Sequence, residues 1–382
     1  MELNETITDQ RKRTRSKIYH YIYNQCDFCT KQSLSKNIGI SLPTVYQNLT
    51  ELMEAGLIQY TGENQFTGGR RAMQLDIVAD ARIAIGINIT DNCFRMVATD
   101  LRLKELYYRK IERRMDEGIQ KYFADLSEEL ESFLDDNHIN RDCLLGVGIA
   151  LPAVISPDHQ SISFAPTLHL QDVSFSFIQD IIPYPVHVLN DGTCGGYAEW
   201  FMHTELGHQD LKRNMSYLSL ENGVGGALLF DNQIYNGDNC RSAEFGHMRV
   251  ESNGLYCECG KRGCLETYCS AKRISDDIGL TLDGFFEMVA SGSSKHVHLW
   301  HDLLQHLAVG VNLINMALDC DVVLGGFLSE YLEPWMPELR QYVIDGNPFA
   351  ENGDFVYLSH FRSHTVCLGA ALYFVKQFLD SI

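Results

Sequence analysis

Apolar residues in the first eighty positions recur every three to four residues, the period of an amphipathic α-helix. Three helices are predicted from this pattern, over 13–23, 30–38 and from Ser41 to about Gly56. Ser41 can cap the third helix, and Pro43 in its first turn does no harm because its missing N–H would be unpaired there. Two short strands, 57–60 and 72–75, flank a polar, glycine-rich segment. This order predicts a winged helix-turn-helix in residues 1–78.

The exposed side of the third helix is predicted to carry polar side chains suited to base edges and phosphates in a DNA major groove. The candidate DNA-binding residues are Ser41, Thr44, Tyr46, Gln47 and Asn48 on the helix, with Arg70 and Arg71 at the wing for the adjacent minor groove. The alternative is a small helical interaction domain that does not touch DNA. Cys26 and Cys29 form a C-x-x-C pair with no second pair nearby, which favours two helix-end cysteines over a zinc or redox site.

Beyond residue 78 the pattern changes to short apolar runs, typical of buried strands, that alternate with amphipathic helices. Strands are predicted at 83–89, 93–99, 103–109, 144–152, 186–189, 215–220, 227–230 and 322–326, and helices at 116–136, 193–201 and 369–378. A similar order recurs in the second half, which predicts two related α/β lobes with a cleft between them. We assign residues 79–190 to the first lobe, completed by a C-terminal helix at 367–382, and residues 191–366 to the second.

Charge separates the same two regions. The 382-residue chain has a formal net charge of −19, yet residues 11–74 hold nine basic against four acidic side chains. A locally basic module joined to an acidic body indicates a nucleic-acid reader attached to another domain. No apolar run approaches the roughly 18 residues that span a bilayer, and no signal core begins the chain, so we expect a cytoplasmic protein without membrane contact. Twelve cysteines then indicate thiols and metal ligands more than disulfides.

The segment 243–270 carries the most concentrated chemistry. Cys257, Cys259 and Cys264 lie on one tight loop, and His247 precedes them by ten residues. Three thiolates and one imidazole predict a Cys3His zinc site, for which Gly254, Gly260 and Gly263 supply the turns. The alternative is a group of free, buried cysteines. Four protein ligands leave no position for a reacting water, so one structural Zn²⁺ per chain is expected.

Two motifs in this segment resemble the ROK family of repressors and sugar kinases. The family pattern E-x-G-H stands at residues 244–247, and C-x-C-G-x-x-G-C-x-E stands at 257–266. The strand-end Asn190-Asp191 and the glycines of 322–326 match two further family motifs. The resemblance implies actin/hexokinase-like, ribonuclease H-like lobes, and family repressors carry a winged helix-turn-helix in front.

The resemblance also implies a set of sugar ligands. These are Asn190, Asp191, Glu244, His247 and Glu266, among which Asp191 would be the catalytic base of a kinase. The alternative is that Glu244 and Glu266 are solvated charges and that Asp191 caps the following helix. Thr167 and His169 lie where the family varies its ligand contacts.

The nucleotide positions depart from the family's kinase pattern. Residues 88–92 read NITDN where kinases have D-x-G-G-T, residues 221–226 read ENGVGG in place of G-T-G-x-G-G, and Phe327 replaces a late glycine. Glycine turns let backbone amides approach ATP phosphates, whereas Asp91 and Glu221 would repel them. We therefore expect sugar binding without ATP binding or catalysis.

These observations predict a sugar-responsive transcriptional regulator, specifically a repressor of carbohydrate-utilisation genes. Its expected partners are double-stranded operator DNA, a sugar or sugar-phosphate effector, and further copies of itself as a homodimer or homotetramer. Two alternatives stay open: an active ATP-dependent sugar kinase with an appended DNA-binding domain, and a regulator whose signal is a protein.

Overall fold

A computed structural model describes residues 7–24, 29–61, 73–204, 214–231, 233–361 and 364–382. The first module consists of α1 (Ile7–Asn24), α2 (Lys31–Ile38), α3 (Leu42–Glu54) and the antiparallel pair β1 (Ile58–Thr61) and β2 (Gln74–Ile77). The predicted winged helix-turn-helix is thus confirmed, although α1 begins six residues earlier than expected. The expected wing residues Arg70 and Arg71, and Cys26, lie outside the described residues.

Side-chain caps explain where the module's short helices begin. The Thr30 hydroxyl accepts a hydrogen bond from the backbone N–H of Ser33, whose own hydroxyl accepts from the N–H of Thr30, which forms a capping box for α2. Ser41 caps α3 as predicted, by accepting from the N–H of Thr44. Gly39, with φ of 68°, ends α2 in the left-handed conformation that glycine adopts at little cost.

The first lobe is built on a five-stranded sheet in the order β10-β6-β3-β4-β5. Its strands are β3 (Ile83–Ile89), β4 (Cys93–Thr99), β5 (Glu105–Glu112), β6 (Leu144–Leu151) and β10 (Val186–Asn190). Helix α4 (Ile119–Asp136) packs an apolar stripe against this sheet. A smaller sheet of β7 (Val154–Ile155), β8 (Ser161–Ala165) and β9 (Leu170–Ser174), followed by α5 (Ile178–Ile181), is inserted between β6 and β10.

The second lobe repeats this topology. After α6 (Asp191–Thr204), its sheet has the order β13-β12-β11-β14-β15. The strands are β11 (Met215–Leu220), β12 (Val224–Phe230), β13 (Gln233–Ile234), β14 (Asp321–Gly325) and β15 (Val356–Leu358). In both sheets, three antiparallel strands are followed by two that extend the sheet in parallel from the first strand. The duplication that the sequence pattern predicted is therefore confirmed at the level of strand order.

The remaining helices of the second lobe cover its sheet. They are α7 (Glu266–Cys269), α8 (Ala271–Ile274), α9 (Leu282–Ala290), α10 (Ser294–Leu318) and α11 (Met336–Gly346). Their core includes Trp300, Leu307 and Phe285, all fully buried. Within the described ranges, no helix combines the length and apolar character needed to cross a membrane.

Two helices join the lobes. Helix α12 (Thr365–Ser381) packs on β3 and β6 of the first lobe, α6 packs on β11 and β12 of the second, and the two helices cross each other. At the crossing, a Cβ added to Gly369 would lie 1.8 Å from the carbonyl oxygen of Cys194. Only glycine permits this approach. The boundary between residues 190 and 191, and the assignment of 367–382 to the first lobe, stay predictions.

The winged helix-turn-helix module contacts the first lobe and α12 through two side-chain hydrogen bonds. The Tyr23 hydroxyl donates to the carbonyl of Leu101 at 2.6 Å, and the ring of His20 donates to the carbonyl of Leu379 at 3.2 Å. The module therefore touches the same helix that crosses α6.

Candidate functional site

The predicted metal ligands come together in space. One ligand atom from each of His247, Cys257, Cys259 and Cys264 lies within 4.8 Å of all the others. His247 ends a 3-10 turn over Phe245–His247, and the cysteines occupy the following loop. Gly263, with φ of 77°, closes that loop, and a Cβ there would lie 1.6 Å from the carbonyl oxygen of Glu251. The loop can fold this tightly only with glycine at this position.

The spacing of the donor atoms fits a tetrahedral metal site. Cys259 Sγ and Cys264 Sγ are 3.7 Å apart, and Cys257 Sγ is 3.8 Å from His247 Nδ1. Zinc–sulfur bonds of about 2.3 Å in a tetrahedron place neighbouring ligand atoms about 3.7 Å apart. The cluster can therefore hold a metal ion, and three sulfurs with one imidazole nitrogen match zinc.

Asn190 at the end of β10 and Asp191 at the start of α6 make different hydrogen bonds. Asn190 Oδ1 accepts from the N–H of Thr193 at 2.9 Å, and Asn190 Nδ2 donates to the carbonyl of Ala153 at 3.1 Å. Asn190 therefore caps α6 and ties it to the loop after β6. Asp191 Oδ1 accepts from the adjacent N–H of Gly192 at 2.8 Å, whereas the N–H of Thr193, which an N-cap residue binds, is bonded by Asn190 instead.

Asp191 sits among other carboxylates. The pKa of Asp191 is raised to about 7. Burial is the largest cause, and the nearby charges of Glu221 and Glu244 contribute to the same rise. Asp191 is half-buried, whereas Glu244 is exposed to solvent. The arrangement is a partly desolvated acidic site that can accept hydrogen bonds from hydroxyl groups.

Glu266 connects residues 257–264, the cysteine-bearing segment that we refer to as the metal loop, to the glycine turn before β12. Its Oε2 atom accepts from the N–H of Val224 at 3.1 Å, and its Oε1 atom lies 3.6 Å from the Sγ of Cys257. Burial raises the pKa of Glu244, the charge of His247 opposes that rise, and the charge of Glu266 adds to it, so these three residues are neighbours. The structure thus brings the predicted metal ligands and the predicted sugar ligands Glu244, His247 and Glu266 together on one side of the second lobe.

Comparison with known proteins accounts for this combination. Residues 84–377 match the ROK family, and residues 11–59 match a winged helix-turn-helix DNA-binding domain. The chain belongs to the ROK family. It is 27% identical over 331 residues to the xylose repressor of Bacillus subtilis (strain 168), with 85% of this chain and 80% of that protein covered. It is 22% identical to the DNA-binding transcriptional dual regulator NagC of Escherichia coli (strain K12), with 88% and 86% covered.

Solved structures share the fold. A ROK family transcriptional regulator, described as a homolog of the Escherichia coli MLC protein, superposes with a TM-score of 0.74 at 21% identity and 97% coverage of both chains. A ROK family glucokinase from Streptomyces griseus, in complex with glucose and AMPPNP, superposes with a TM-score of 0.62 at 20% identity, covering 76% of this chain and 98% of that one. The second match lacks a counterpart for a quarter of this chain.

At the positions where ROK kinases carry phosphate turns, the structure shows contacts that the sequence did not predict. Burial raises the pKa of Glu221, while the charge of Arg95 on β4 and a hydrogen bond from the Asn88 side chain oppose that rise. These partners come from the first lobe and Glu221 from the second. The only sequence signal was an arginine inside the apolar strand Cys93–Thr99. Asn88, 4% exposed, thus serves an interlobe polar cluster.

The structure corrects one part of the prediction of which residues around α3 face solvent. Ser41, Tyr46 and Gln47 are exposed, with Tyr46 at 52%, and Thr44 is half-buried. The expectation that Asn48 is exposed is wrong: it is 6% exposed and its amide donates to the carbonyl of Thr44 at 2.8 Å. Position 48 follows the buried Val45 by three residues and so falls on the same face of α3. Lys31, which we did not predict, lies 4.1 Å from the Tyr46 ring centroid.

Proposed function

We propose that this chain is a sugar-responsive DNA-binding regulator that represses genes of carbohydrate use. The observation that carries the proposal is that a winged helix-turn-helix is joined to a ROK body, in which the predicted sugar ligand Glu244 lies near Asp191. Similarity to proteins named xylose repressor and NagC supports it. Operator DNA would be read by Ser41, Thr44, Tyr46 and Gln47 of α3.

The sugar site is proposed between Asp191 on the α6 side and the wall formed by Glu244, His247 and Glu266. Carboxylates accept hydrogen bonds from adjacent sugar hydroxyls, and Asp191 has an oxygen to spare. Asn190 contributes by holding α6 in place, since both ends of its amide are bonded within the protein. Its amide oxygen keeps a second lone pair and its amide nitrogen a second N–H, so the prediction that Asn190 is also a direct sugar ligand is compatible with both hydrogen bonds.

A structural zinc ion is proposed at His247, Cys257, Cys259 and Cys264. The metal would fix the imidazole ring and neutralise thiolate charge beside the sugar site. Because Glu266 bonds the N–H of Val224 and approaches Cys257, it connects the metal loop with the second sheet. Zinc would therefore shape the wall of the sugar site without taking part in a reaction.

Sugar binding is proposed to change DNA binding through lobe closure. The effector must bind one arrangement of the lobes more tightly than the other, because only differential affinity can shift the equilibrium. Helices α6 and α12 cross between the lobes, and α12 also accepts the contact from His20 of the DNA-binding module. A change at this crossing reaches the module directly. Paired half-sites would be read by a homodimer or homotetramer.

Isothermal titration with a panel of neutral and phosphorylated sugars tests this function. We expect one sugar class to bind and the same sugar to change operator affinity by at least about fivefold. Glu266→Gln should weaken sugar binding while Glu258→Gln, on the exposed tip of the same loop, should not. If every sugar fails to bind and a pull-down identifies a protein that alters operator affinity instead, the effector is that protein and the sugar proposal is wrong.

One observation favours a second function, an active sugar kinase. A carboxylate whose pKa lies near 7 is suited to remove a proton from a hydroxyl nucleophile, and the pKa of Asp191 is raised to about 7. The altered phosphate turns oppose this reading, and we propose that catalysis is lost. Sugar-dependent ADP release that disappears in Asp191→Asn would establish the kinase instead.

A further inference from the structure

Two large apolar side chains lie on the exposed face of α3. Leu42 is 41% exposed and Tyr46 is 52% exposed. They are four residues apart, so they share one face of the helix. The core of the module takes a different stripe of the helix, formed by the buried side chains of Val45, Leu49 and Leu52. That core therefore forms without the exposed pair.

Leu42 occupies the start of the helix that is proposed to read DNA. It is the first residue of α3, and the Ser41 hydroxyl fixes that start by accepting from the N–H of Thr44. In a helix-turn-helix, the N-terminal residues of the recognition helix lie against base edges in the major groove. The surrounding residues 11–74 hold nine basic against four acidic side chains, which favours a phosphate backbone close by. In the complex with DNA, Leu42 would therefore lie against a base.

The Tyr46 end of this face is fixed by a basic side chain. The Lys31 ammonium of α2 lies 4.1 Å from the centroid of the Tyr46 ring and 5.1 Å from that of the Tyr60 ring on β1. Cation–π attraction to the two rings orients Tyr46 and keeps a positive charge beside it, where it can attract DNA phosphates. Leu42, one helical turn away, is the aliphatic contact of a surface that otherwise suits DNA.

The chemistry of the major groove indicates what an exposed leucine can contact there. Base edges in this groove present hydrogen-bond donors and acceptors, together with one apolar group, the C5-methyl of thymine. A leucine placed on any other base edge would remove water from polar atoms and replace none of their hydrogen bonds. Against a thymine methyl, the same side chain buries apolar surface and breaks no hydrogen bond. Thymine is thus the base that fits Leu42.

We propose that Leu42 is a specificity-determining residue that contacts the C5-methyl group of one thymine in each operator half-site. The inference deepens the proposed function, in which α3 reads bases through Ser41, Thr44, Tyr46 and Gln47. It rests on that function, because α3 must lie in a major groove. It also constrains the operator: uracil, which differs from thymine only by the missing methyl, should bind less well at that position.

Fluorescence anisotropy with uracil-substituted duplexes tests the contact. The probe is a duplex that the full wild-type chain selects from a random-sequence pool, with each thymine of one half-site replaced in turn by uracil. At one position, uracil should weaken wild-type binding about fourfold, the change expected for one buried methyl group. Leu42→Ala should bind the thymine and uracil duplexes equally. Gln47→Ala is the matched control on the same helix: it should weaken binding to both duplexes and keep the difference between them.

Leu42→Met and Leu42→Gln form a second pair if Leu42→Ala binds too weakly to measure. The two replacements have similar lengths, but only methionine is apolar, so Leu42→Met should keep the thymine preference and Leu42→Gln should lose it. The same uracil penalty in both variants overturns the inference, as does a wild type that tolerates uracil at every position. Failure of the proposed function gives a different result: no duplex is then enriched from the pool, and this inference falls with it.

Discussion

At the scale of single residues, the cleft is organised by the division of work between Asn190 and Asp191. Asn190 uses both ends of its amide to cap α6 and to reach the loop after β6. Asp191 is thereby released from capping and stands in a partly desolvated acidic site. An aspartate at the start of a helix would ordinarily gain from the cap and the helix dipole, both of which lower its pKa. Here burial and neighbouring carboxylates dominate, and the pKa is raised.

The raised pKa of Asp191 predicts a pH effect on stability. Between the ordinary aspartate value of 3.8 and about 7, the folded chain holds a proton that the unfolded chain releases. The contribution of Asp191 to the unfolding free energy is therefore fully present below pH 4, and it is lost as the pH rises from about 4 through 7. Asp191→Asn abolishes the effect, so it should gain about 2 kcal/mol relative to wild type between pH 5 and pH 8, after allowance for partial exposure.

Urea unfolding of wild type and Asp191→Asn at both pH values measures this difference. A difference between the two proteins that is the same at pH 5 and pH 8 would show that Asp191 titrates as an ordinary aspartate.

At the scale of elements, the metal loop depends on two glycines that differ in one respect. Gly260 and Gly263 both have φ near 80°, but a Cβ added to Gly263 would lie 1.6 Å from the carbonyl oxygen of Glu251, whereas a Cβ added to Gly260 would meet nothing within 4 Å. Gly260→Ala should cost about 1 kcal/mol through the left-handed backbone alone. Gly263→Ala should cost several times more and should reduce zinc content, because the carbonyl of Glu251 must move and the loop must open.

Metal analysis and thermal unfolding of the two purified variants compare them directly. Equal zinc content and equal melting temperatures in both would contradict the role given to the Gly263 contact.

The crossing of α6 and α12 predicts a second glycine effect. A Cβ at Gly369 would lie 1.8 Å from the Cys194 carbonyl oxygen, so Gly369→Ala must push the two helices apart. We expect a loss of about 3 kcal/mol or more in unfolding free energy. Gly284→Ala in α9 is the control, because its Cβ would meet only the Thr281 hydroxyl at 3.2 Å and alanine favours the helix. Chemical denaturation measures both, and equal stability of the two variants would argue against tight packing at the crossing.

Sequence reasoning succeeded where a pattern is local. The strand Cys93–Thr99, the capped α3 and the cysteine loop were all predicted from periodicity, cap residues and spacing. It failed for Asn48, because a polar residue on a helix was assumed to face solvent while helical geometry placed it beside Val45. The cluster of Arg95, Asn88 and Glu221 was missed because it depends on how two lobes approach each other, which no local pattern encodes.

At the scale of the whole molecule, communication between DNA and sugar must pass through contacts of the winged helix-turn-helix with the body. The Tyr23 hydroxyl supplies one of these by donating to Leu101. Tyr23→Phe should lower stability by about 1 kcal/mol and reduce the ratio of operator affinities measured without and with sugar. Sugar binding itself should be unchanged, because the proposed sugar ligands Glu244, His247 and Glu266 lie on the second lobe and do not contact Tyr23.

Tyr21→Phe is the matched control. The Tyr21 hydroxyl accepts a hydrogen bond from Asn37, so that contact stays within the DNA-binding module. Fluorescence anisotropy with operator DNA measures the affinity ratio for both variants. Coupling that is lost equally in both would place the effect inside the module and not at its junction with the body.

The position of α12 in the chain has a consequence for biosynthesis. This helix covers β3 and β6, yet a ribosome makes it after the whole second lobe, about 210 residues later than β6. Until then the apolar face of the first sheet has no cover, and the contact between His20 and Leu379 cannot form. A nascent chain would therefore expose the apolar face of the first sheet throughout translation of the second lobe. During the same period the DNA-binding module would lack its contact with α12. The protein would therefore be most vulnerable to misfolding during this interval, before its release from the ribosome. We expect chaperones to bind it then.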